Sequence, residues 1–154
     1  MKATTLSVDC GGTGIKASVL SDAGKVLIEY PYLKTPYPLS PNRLISIIEE
    51  FVKTGPKINR ITVGLPGMIR DGKVVVIPHY INAGGPRTAV DQGLKNKWFG
   101  FDMQSALKKK LNLPVLVLND AEVHGAAVIT GKGLETVFTF GTGLGSAIFN
   151  NGQL

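Results

Sequence analysis

The sequence predicts an α/β fold built on a mixed sheet, and three features carry that prediction. Residues 3–30 hold three strand-like runs separated only by short turns, the pattern of an antiparallel meander. From Ser40 to about Thr130, helix-patterned segments alternate with short Val- and Leu-rich runs. Strands separated by helices point to parallel pairing, because parallel neighbours need a long crossover. A further pair of apolar runs, Thr136 to Phe140 and Leu144 to Phe149, surrounds a glycine-rich turn and reads as the first hairpin of another unit.

Taken in order, residues 3–9 form a strand, residues 15–20 a second and Lys25 to Tyr30 a third, with Ser21-Asp22-Ala23-Gly24 as the turn between the last two. Pro31 to Pro41 contains four prolines and reads as a loop. Ser40-Pro41 starts a helix, since Ser caps free N–H groups and Pro suits the first helical position. Leu44, Ile47, Ile48 and Phe51 give that helix one apolar face, Glu49 and Lys53 can pair on its surface, and Gly55-Pro56 ends it. Arg60 to Leu65 is a strand parallel to the first, and it runs into Pro66-Gly67, a turn that exposes backbone at the strand's carboxyl end. Met68 to Arg70 and Val74 to Ile77 form a small hairpin over Asp71-Gly72. Residues 78–100 show no clear periodicity and read as a long loop, a lid or a binding wall. Asp102 caps a second helix with Met103, Ala106, Leu107 and Leu111 inward. Lys108, Lys109 and Lys110 fall in its last turn, where positive charge suits the helix dipole; a phosphate-binding patch is the second reading. Pro114 to Leu118 reads as a strand buried on both faces. It ends at Asn119-Asp120, and a helix follows to about Thr130. Gly131-Lys132-Gly133 breaks that helix and divides the chain into residues 1–132, a complete α/β unit, and residues 133–154, the beginning of a second.

The chain has 154 residues, 44% hydrophobic and 18% charged, which is the composition of a folded domain with its own core. Cys10 is the single cysteine, so an internal disulfide is excluded and a reducing, cytoplasmic setting is expected. The N-terminus enters a strand pattern after Lys2 with no signal peptide, and no apolar run approaches a membrane-spanning length. A net charge of +6 favours anionic partners without separating nucleic acid from phosphorylated substrates.

The chemistry concentrates in two glycine loops. Phe140-Gly141-Thr142-Gly143-Leu144-Gly145-Ser146 and Asp9-Cys10-Gly11-Gly12-Thr13-Gly14 each join two strand-like runs. Glycines there leave backbone N–H groups uncovered so that they can converge on an anion, and Thr13, Thr142 and Ser146 add hydroxyls. Either loop alone could be an ordinary glycine-rich hairpin; two in one chain suggest a nucleotide or polyphosphate clamp. Asp9 suits Mg²⁺, which is held by one or two carboxylates together with phosphate oxygens and water. Neither loop ends in Gly-Lys-Ser/Thr, and each leads into a strand, so neither is a Walker A loop or a dinucleotide fingerprint. Asn119-Asp120 stands at a strand's carboxyl end, the edge at which open α/β sheets place ligands. Asp120 is there either a helix cap or a base that takes a proton from a substrate hydroxyl during phosphoryl transfer. His124, four residues on, reads as packing or surface; Trp98 as core or a loop anchor; Cys10 as a small buried residue.

These motifs resemble the ROK sugar kinases of the hexokinase, actin and heat-shock-protein-70 superfamily. Asp-Cys-Gly-Gly-Thr-Gly at 9–14, Gly-Leu-Pro-Gly at 64–67, Val-Leu-Asn-Asp-Ala at 117–121 and Thr-Phe-Gly-Thr-Gly-Leu-Gly-Ser-Ala at 139–147 carry the likeness, and the last two look most like polyphosphate glucokinases. The resemblance implies an RNase-H-like (actin-like ATPase) first lobe over residues 1–132 and the opening hairpin of a second lobe. It implies that Asp9 holds the metal through water and that Gly11, Gly12, Thr13 and Gly14 form the first phosphate loop. Gly141, Thr142, Gly143 and Gly145 form the second. By the same resemblance Asn119 and Gly67 bind the sugar and Asp120 is the base. The implied activity is phosphoryl transfer from ATP or inorganic polyphosphate, with Mg²⁺, to the 6-hydroxyl of glucose or a related hexose. The implied setting is a cytoplasmic homodimer with no nucleic-acid or membrane partner.

The chain departs from the family in lacking most of a second lobe, with its Glu-x-Gly-His sugar segment and zinc-binding cysteine cluster, and it reads as an N-terminal portion that by itself is inactive. Two other readings stand beside the kinase. A ROK-type sugar-binding transcriptional regulator would carry a helix-turn-helix before the first strand, and here the chain starts only a few residues before it. A catalytically inactive actin-like assembly protein would have no use for a hydroxyl-activating Asp120.

Overall fold

The computed structural model describes residues 4–141 and 143–154. Its centre is a six-stranded mixed sheet. Strands β1 (Thr5–Cys10), β2 (Gly14–Leu20) and β3 (Val26–Glu29) form the expected antiparallel meander. Strand β4 is only Leu33–Lys34 and pairs with the start of β2, opposite Gly14 and Ile15. The proline-rich segment is therefore not wholly loop as the sequence suggested: it crosses back over the end of β2. Helix α1 (Pro41–Thr54) starts as predicted, with Ser40 Oγ accepting from the N–H of Arg43 at 3.3 Å and Pro41 in the first turn. Leu44 and Ile48 are fully buried on its inner face.

Strand β5 (Arg60–Leu65) then lies parallel to β1. The two-stranded ribbon β6 (Met68–Arg70) and β7 (Lys73–Val76) turns over Asp71 and Gly72, both at positive φ as an Asp-Gly hairpin turn requires. The segment 78–100 is not a structureless loop. It contains helix α2 (Gln92–Trp98), capped by Asp91 Oδ1 accepting from the N–H of Leu94 at 2.9 Å. Seven residues with only Leu94 and Trp98 buried present too little periodicity to be read from sequence. Trp98 is fully buried, and its Nε1 donates to the carbonyl of Leu39 at 2.8 Å, so it is both core and anchor.

Helix α3 (Met103–Leu111) is capped by Asp102 as expected, and Lys110 at its end reaches Glu49 of α1 at 3.3 Å. Strand β8 (Val115–Asn119) pairs with β5 in parallel at the edge of the sheet, in the order β3-β2-β1-β5-β8. It is not buried on both faces: Val115 and Val117 face the core while Leu116, on the other face of this edge strand, is 48% exposed. Gln104 of α3 accepts from the N–H of Val117 at 3.0 Å and so occupies one of the edge donors. Helix α4 (Asp120–Ala126) is shorter than the segment predicted to Thr130. The carboxylate of Glu135 accepts from the N–H groups of Thr130 and Gly131 at 2.7 and 2.9 Å and turns the chain there. Strands β9 (Leu134–Phe140) and β10 (Leu144–Asn150) complete the chain as a hairpin.

Two cores result. Leu6, Val8 and Cys10 of β1 point to one face of the sheet, where they pack with side chains of α1, α2 and α3. The opposite face carries Ser7 and Asp9, by strand alternation. There α4 lies over β5: a Cβ on Gly64 would stand 3.2 Å from Asp120 Cα and 3.4 Å from Val123, so the side-chain-free position sets how closely α4 can begin. The second core is Ala121, Ala147 and Phe149, with Ile129 and Val137, and it joins the hairpin to α4. Among the described residues no helix is long and apolar enough to cross a membrane.

Trp98 ties α2 and the segment after Pro38 to the main core. Trp98→Ala is expected to lower unfolding free energy by about 3–5 kcal/mol, measured by urea denaturation; a loss under about 1 kcal/mol would show that the segment is not anchored there.

Candidate active site

The parallel ladder places the ends of three strands at one edge. Asp9 at the end of β1 pairs with Gly64 of β5, and Leu65 pairs with Asn119 of β8. The Pro66-Gly67 turn and the start of α4 follow directly from those ends. A Cβ on Gly67 would collide with the carbonyl of Val76, so this glycine lets β7 close against the turn. Between this edge and the β9–β10 hairpin opens a cleft of about 740 Å³, within the size range of small-molecule sites. Asp9, Gly11, Gly12, Thr13, Gly67, Asn119, Asp120, Gly141, Gly143 and Gly145 all line it. Thr142 lies outside the described residues. Gly14 does not line the cleft: the ring of Tyr32 occupies the space where its Cβ would be.

Each glycine loop closes on itself. The N–H of Gly11 donates to Gly14 O at 2.8 Å, and that of Gly141 to Gly143 O at 3.0 Å. The N–H groups of Gly12 and Thr13 donate to no described residue. Gly145 packs against Thr139 Oγ1 and Ala121, which sets the second loop beside the start of α4.

The cap of α4 is Asn119 and not Asp120. Asn119 Oδ1 accepts from the N–H of Ala121 at 2.9 Å, and its own N–H donates to Glu122 Oε2 at 2.9 Å, the reciprocal bonding of a capping box. Its Nδ2 donates to Gly67 O at 2.8 Å. It also donates to Leu65 O at 3.5 Å, so Asn119 clamps the end of β5 and the Pro66-Gly67 turn to α4. With the cap supplied by Asn119, the Asp120 carboxylate is half-buried in the cleft with one backbone partner, the N–H of Ala121 at 2.9 Å. Burial raises its pKa above the ordinary aspartate value, and the charge of Asp9 adds to that rise; the Ala121 bond and His124 oppose it.

His124 was read from sequence as packing or surface. It lines the cleft, and its Nε2 stands 3.4 Å from Asp9 Oδ2. Its spacing from Asp120 was visible, but the approach to Asp9 depends on α4 lying over β5, which no local signal encodes. His79, to which the sequence assigns no role, also lines the cleft, and a Cβ on Gly12 would come within 2.9 Å of its ring. Cys10 is fully buried, and burial pushes its thiol far above the ordinary range, so it is no nucleophile. The donor set fits Mg²⁺ in the phosphate-shared mode. Asp9 supplies one partly exposed carboxylate beside the N–H groups of Gly12 and Thr13, and no cluster of three or more ligating side chains occurs among the described residues.

A mixed sheet with a glycine loop and two carboxylates at its carboxyl edge, faced by a second glycine loop on a separate hairpin, is the arrangement of the actin-like ATPase fold. A sequence profile of the ROK family matches residues 5–154, and the chain belongs to that family. It is 32% identical over 155 residues to the polyphosphate glucokinase of Mycobacterium leprae (strain TN), covering 96% of this chain and 44% of that protein. It is 29% identical over 157 residues to the N-acetylmannosamine kinase of Escherichia coli (strain SE11), covering 98% of this chain and 49% of that protein. The crystal structure of an inorganic polyphosphate/ATP-glucomannokinase from Arthrobacter sp. strain KM superposes with a TM-score of 0.73 at 28% identity, over 98% of this chain and 60% of that one. The chain thus spans about half the length of the curated relatives it matches.

The two readings of Asp120 differ in sign on stability. A carboxyl whose folded-state pKa is raised destabilises the fold wherever it is ionised, and that cost disappears as pH falls through the folded value towards the unfolded one. Asp120→Asn keeps the oxygen that accepts from Ala121. It is expected to raise the melting temperature at pH 7, with the gain shrinking as the pH enters the carboxylate range. A lower melting temperature at pH 7 would mark Asp120 as a structural cap.

Proposed function

We propose that residues 1–132 are the first lobe of a sugar kinase and that residues 133–154 open its second lobe. In this reading the whole protein transfers a phosphoryl group from ATP or inorganic polyphosphate to a hydroxyl of glucose or a related hexose. The observation that carries the proposal is the meeting of Asp9, Asp120 and both glycine loops in one cleft at the carboxyl ends of β1, β5 and β8. ROK membership and sugar-kinase relatives support the same class. Glucose is favoured as acceptor by the relative of highest identity reported above, with N-acetylmannosamine the competing hexose.

The residues divide the work as follows. The free N–H groups of Gly12 and Thr13, with the second loop around Gly143 and Gly145, would take the donor's phosphates, while the Gly141 N–H closes that loop on Gly143 O. Asp9 would hold Mg²⁺, which when bound neutralises charge on the phosphate oxygens. Asp120 would accept the proton of the sugar hydroxyl. Its raised pKa makes it a stronger base than an exposed carboxylate, and it lines the cleft. Asn119 and the Pro66-Gly67 turn it clamps would face the sugar.

The test is a phosphorylation assay of these residues within a ROK chain of full length, with glucose and N-acetylmannosamine as acceptors and ATP and polyphosphate as donors. At least one hexose should be phosphorylated. Asp120→Asn should lower kcat by about 10²–10⁴-fold with sugar KM changed only a few-fold. No phosphorylation of any hexose by the unmutated chain, or a near-normal kcat in Asp120→Asn, would overturn this assignment.

A further inference from the structure

We infer that Tyr32, Thr35, Tyr37 and Tyr80 are positioning residues that hold the first glycine loop in an anion-receptive form before any ligand arrives. The inference rests on the reading of that loop as a phosphate site and extends it to residues outside the cleft.

Three successive carbonyls of the loop are each held by a donor. Gly11 O accepts from Thr35 Oγ1 at 2.9 Å and from Tyr80 Oη at 3.2 Å. Gly12 O accepts from Tyr37 Oη at 2.7 Å. Thr13 O accepts from Tyr32 Oη at 3.0 Å and from the N–H of Thr35 at 3.1 Å. None of these four donors lines the cleft, whereas Gly11, Gly12 and Thr13 do. In a trans peptide the carbonyl and the next N–H point in opposite directions. Pinning Gly11 O and Gly12 O away from the cleft therefore aims the N–H groups of Gly12 and Thr13 towards it.

The need for such pinning follows from the glycines. A Gly-Gly peptide rotates more freely than any other, and a flipped peptide would turn a carbonyl oxygen, not an N–H, towards an anion. Fixing the peptide planes in advance removes that ordering cost from binding. In the second loop, a Cβ on Gly141 or Gly143 would meet no atom within 4 Å among the described residues.

The donors are themselves fixed. Tyr32, Thr35 and Tyr37 lie on the segment that contains Pro31, Pro36 and Pro38, whose ring-locked φ angles stiffen it. The Tyr80 ring sits 6.3 Å from that of Tyr37 and 5.3 Å from that of Trp98, which links the support to the core. Burial raises the phenol of Tyr37 to about 12 and that of Tyr80 well above its ordinary value, so both remain protonated donors at neutral pH.

The experiment is a titration of the 154-residue chain with inorganic tripolyphosphate, followed through backbone amide resonances. Tyr37→Phe and Tyr32→Phe each remove one pinning hydroxyl. Tyr32 is 59% exposed, so its variant folds even where the Tyr37 variant does not. Tyr30→Phe is the control: it removes a hydroxyl that donates to Phe51 O at 2.6 Å, away from the loop. In the unmutated chain the Gly12 and Thr13 amides should shift on binding. Each pinning variant should weaken binding by about two- to ten-fold, and Tyr30→Phe should leave it unchanged. Wild-type affinity in the pinning variants, or an equal loss in Tyr30→Phe, would overturn the positioning role alone. Absence of any Gly12 or Thr13 shift in the unmutated chain would overturn the phosphate-site reading and the positioning role together.

Discussion

The structure depends on the parallel register of β1, β5 and β8. Parallel pairing aligns strand ends, so three separate stretches of sequence bring their candidate site residues to one edge: Asp9 from the first, Pro66-Gly67 after the second, Asn119-Asp120 from the third. A slip of one residue in any of these strands would turn its side chains to the opposite face. Leu6, Val8 and Cys10 prevent that slip in β1, because all three are fully buried among the helices on the other side. The same alternation that buries them leaves Asp9 on the face of the cleft. Core packing and site geometry are therefore one constraint read from two sides.

The cleft is built by backbone-directed side chains as much as by functional ones. Asn119 bonds both to the start of α4 and to Gly67, so a single amide sets the distance between the turn and the helix. Glu122 completes that cap by accepting from the N–H of Asn119. On the opposite wall, Phe149 packs beside Gly125, where a Cβ would come within 2.5 Å of the ring, and Ala147 and Phe149 seat the hairpin on α4. The hairpin's other face exposes Leu134, Phe138, Phe140, Leu144 and Ile148, consistent with the proposal that it opens a further lobe.

Much of this was legible in the sequence where the signal is local. The Ser40-Pro41 start, the Asp71-Gly72 turn and the Asp102 cap are written in a few adjacent residues, and each forms as read. The two glycine loops and Asp9 and Asp120 are likewise marked by their neighbours, and among the described residues the structure gathers them into one cleft, Gly14 excepted. What was illegible depends on tertiary neighbours. The burial of β8 follows from its place at the sheet edge, which its Val-Leu composition cannot state. Helix α2 is shorter than two turns and is held by Trp98 reaching Leu39, a contact 59 residues distant in sequence. Asn119 and Asp120 are adjacent, and only the bond from Asn119 to Gly67 separates the cap from the candidate base. His124 faces Asp9 because α4 crosses over Gly64, a relation across the sheet.

The central claim is that the fold brings Asp120 close enough to Asp9, and shields it enough, to make it a stronger base than an exposed carboxylate. The most direct test is a pH titration of side-chain carboxyl carbons by NMR in the chain and in Asp9→Asn. Asp120 should titrate above the ordinary aspartate value in the unmutated chain, and its pKa should fall in Asp9→Asn as the neighbouring negative charge is removed. An Asp120 that titrates at or below the ordinary value, or that does not respond to Asp9→Asn, would contradict the account.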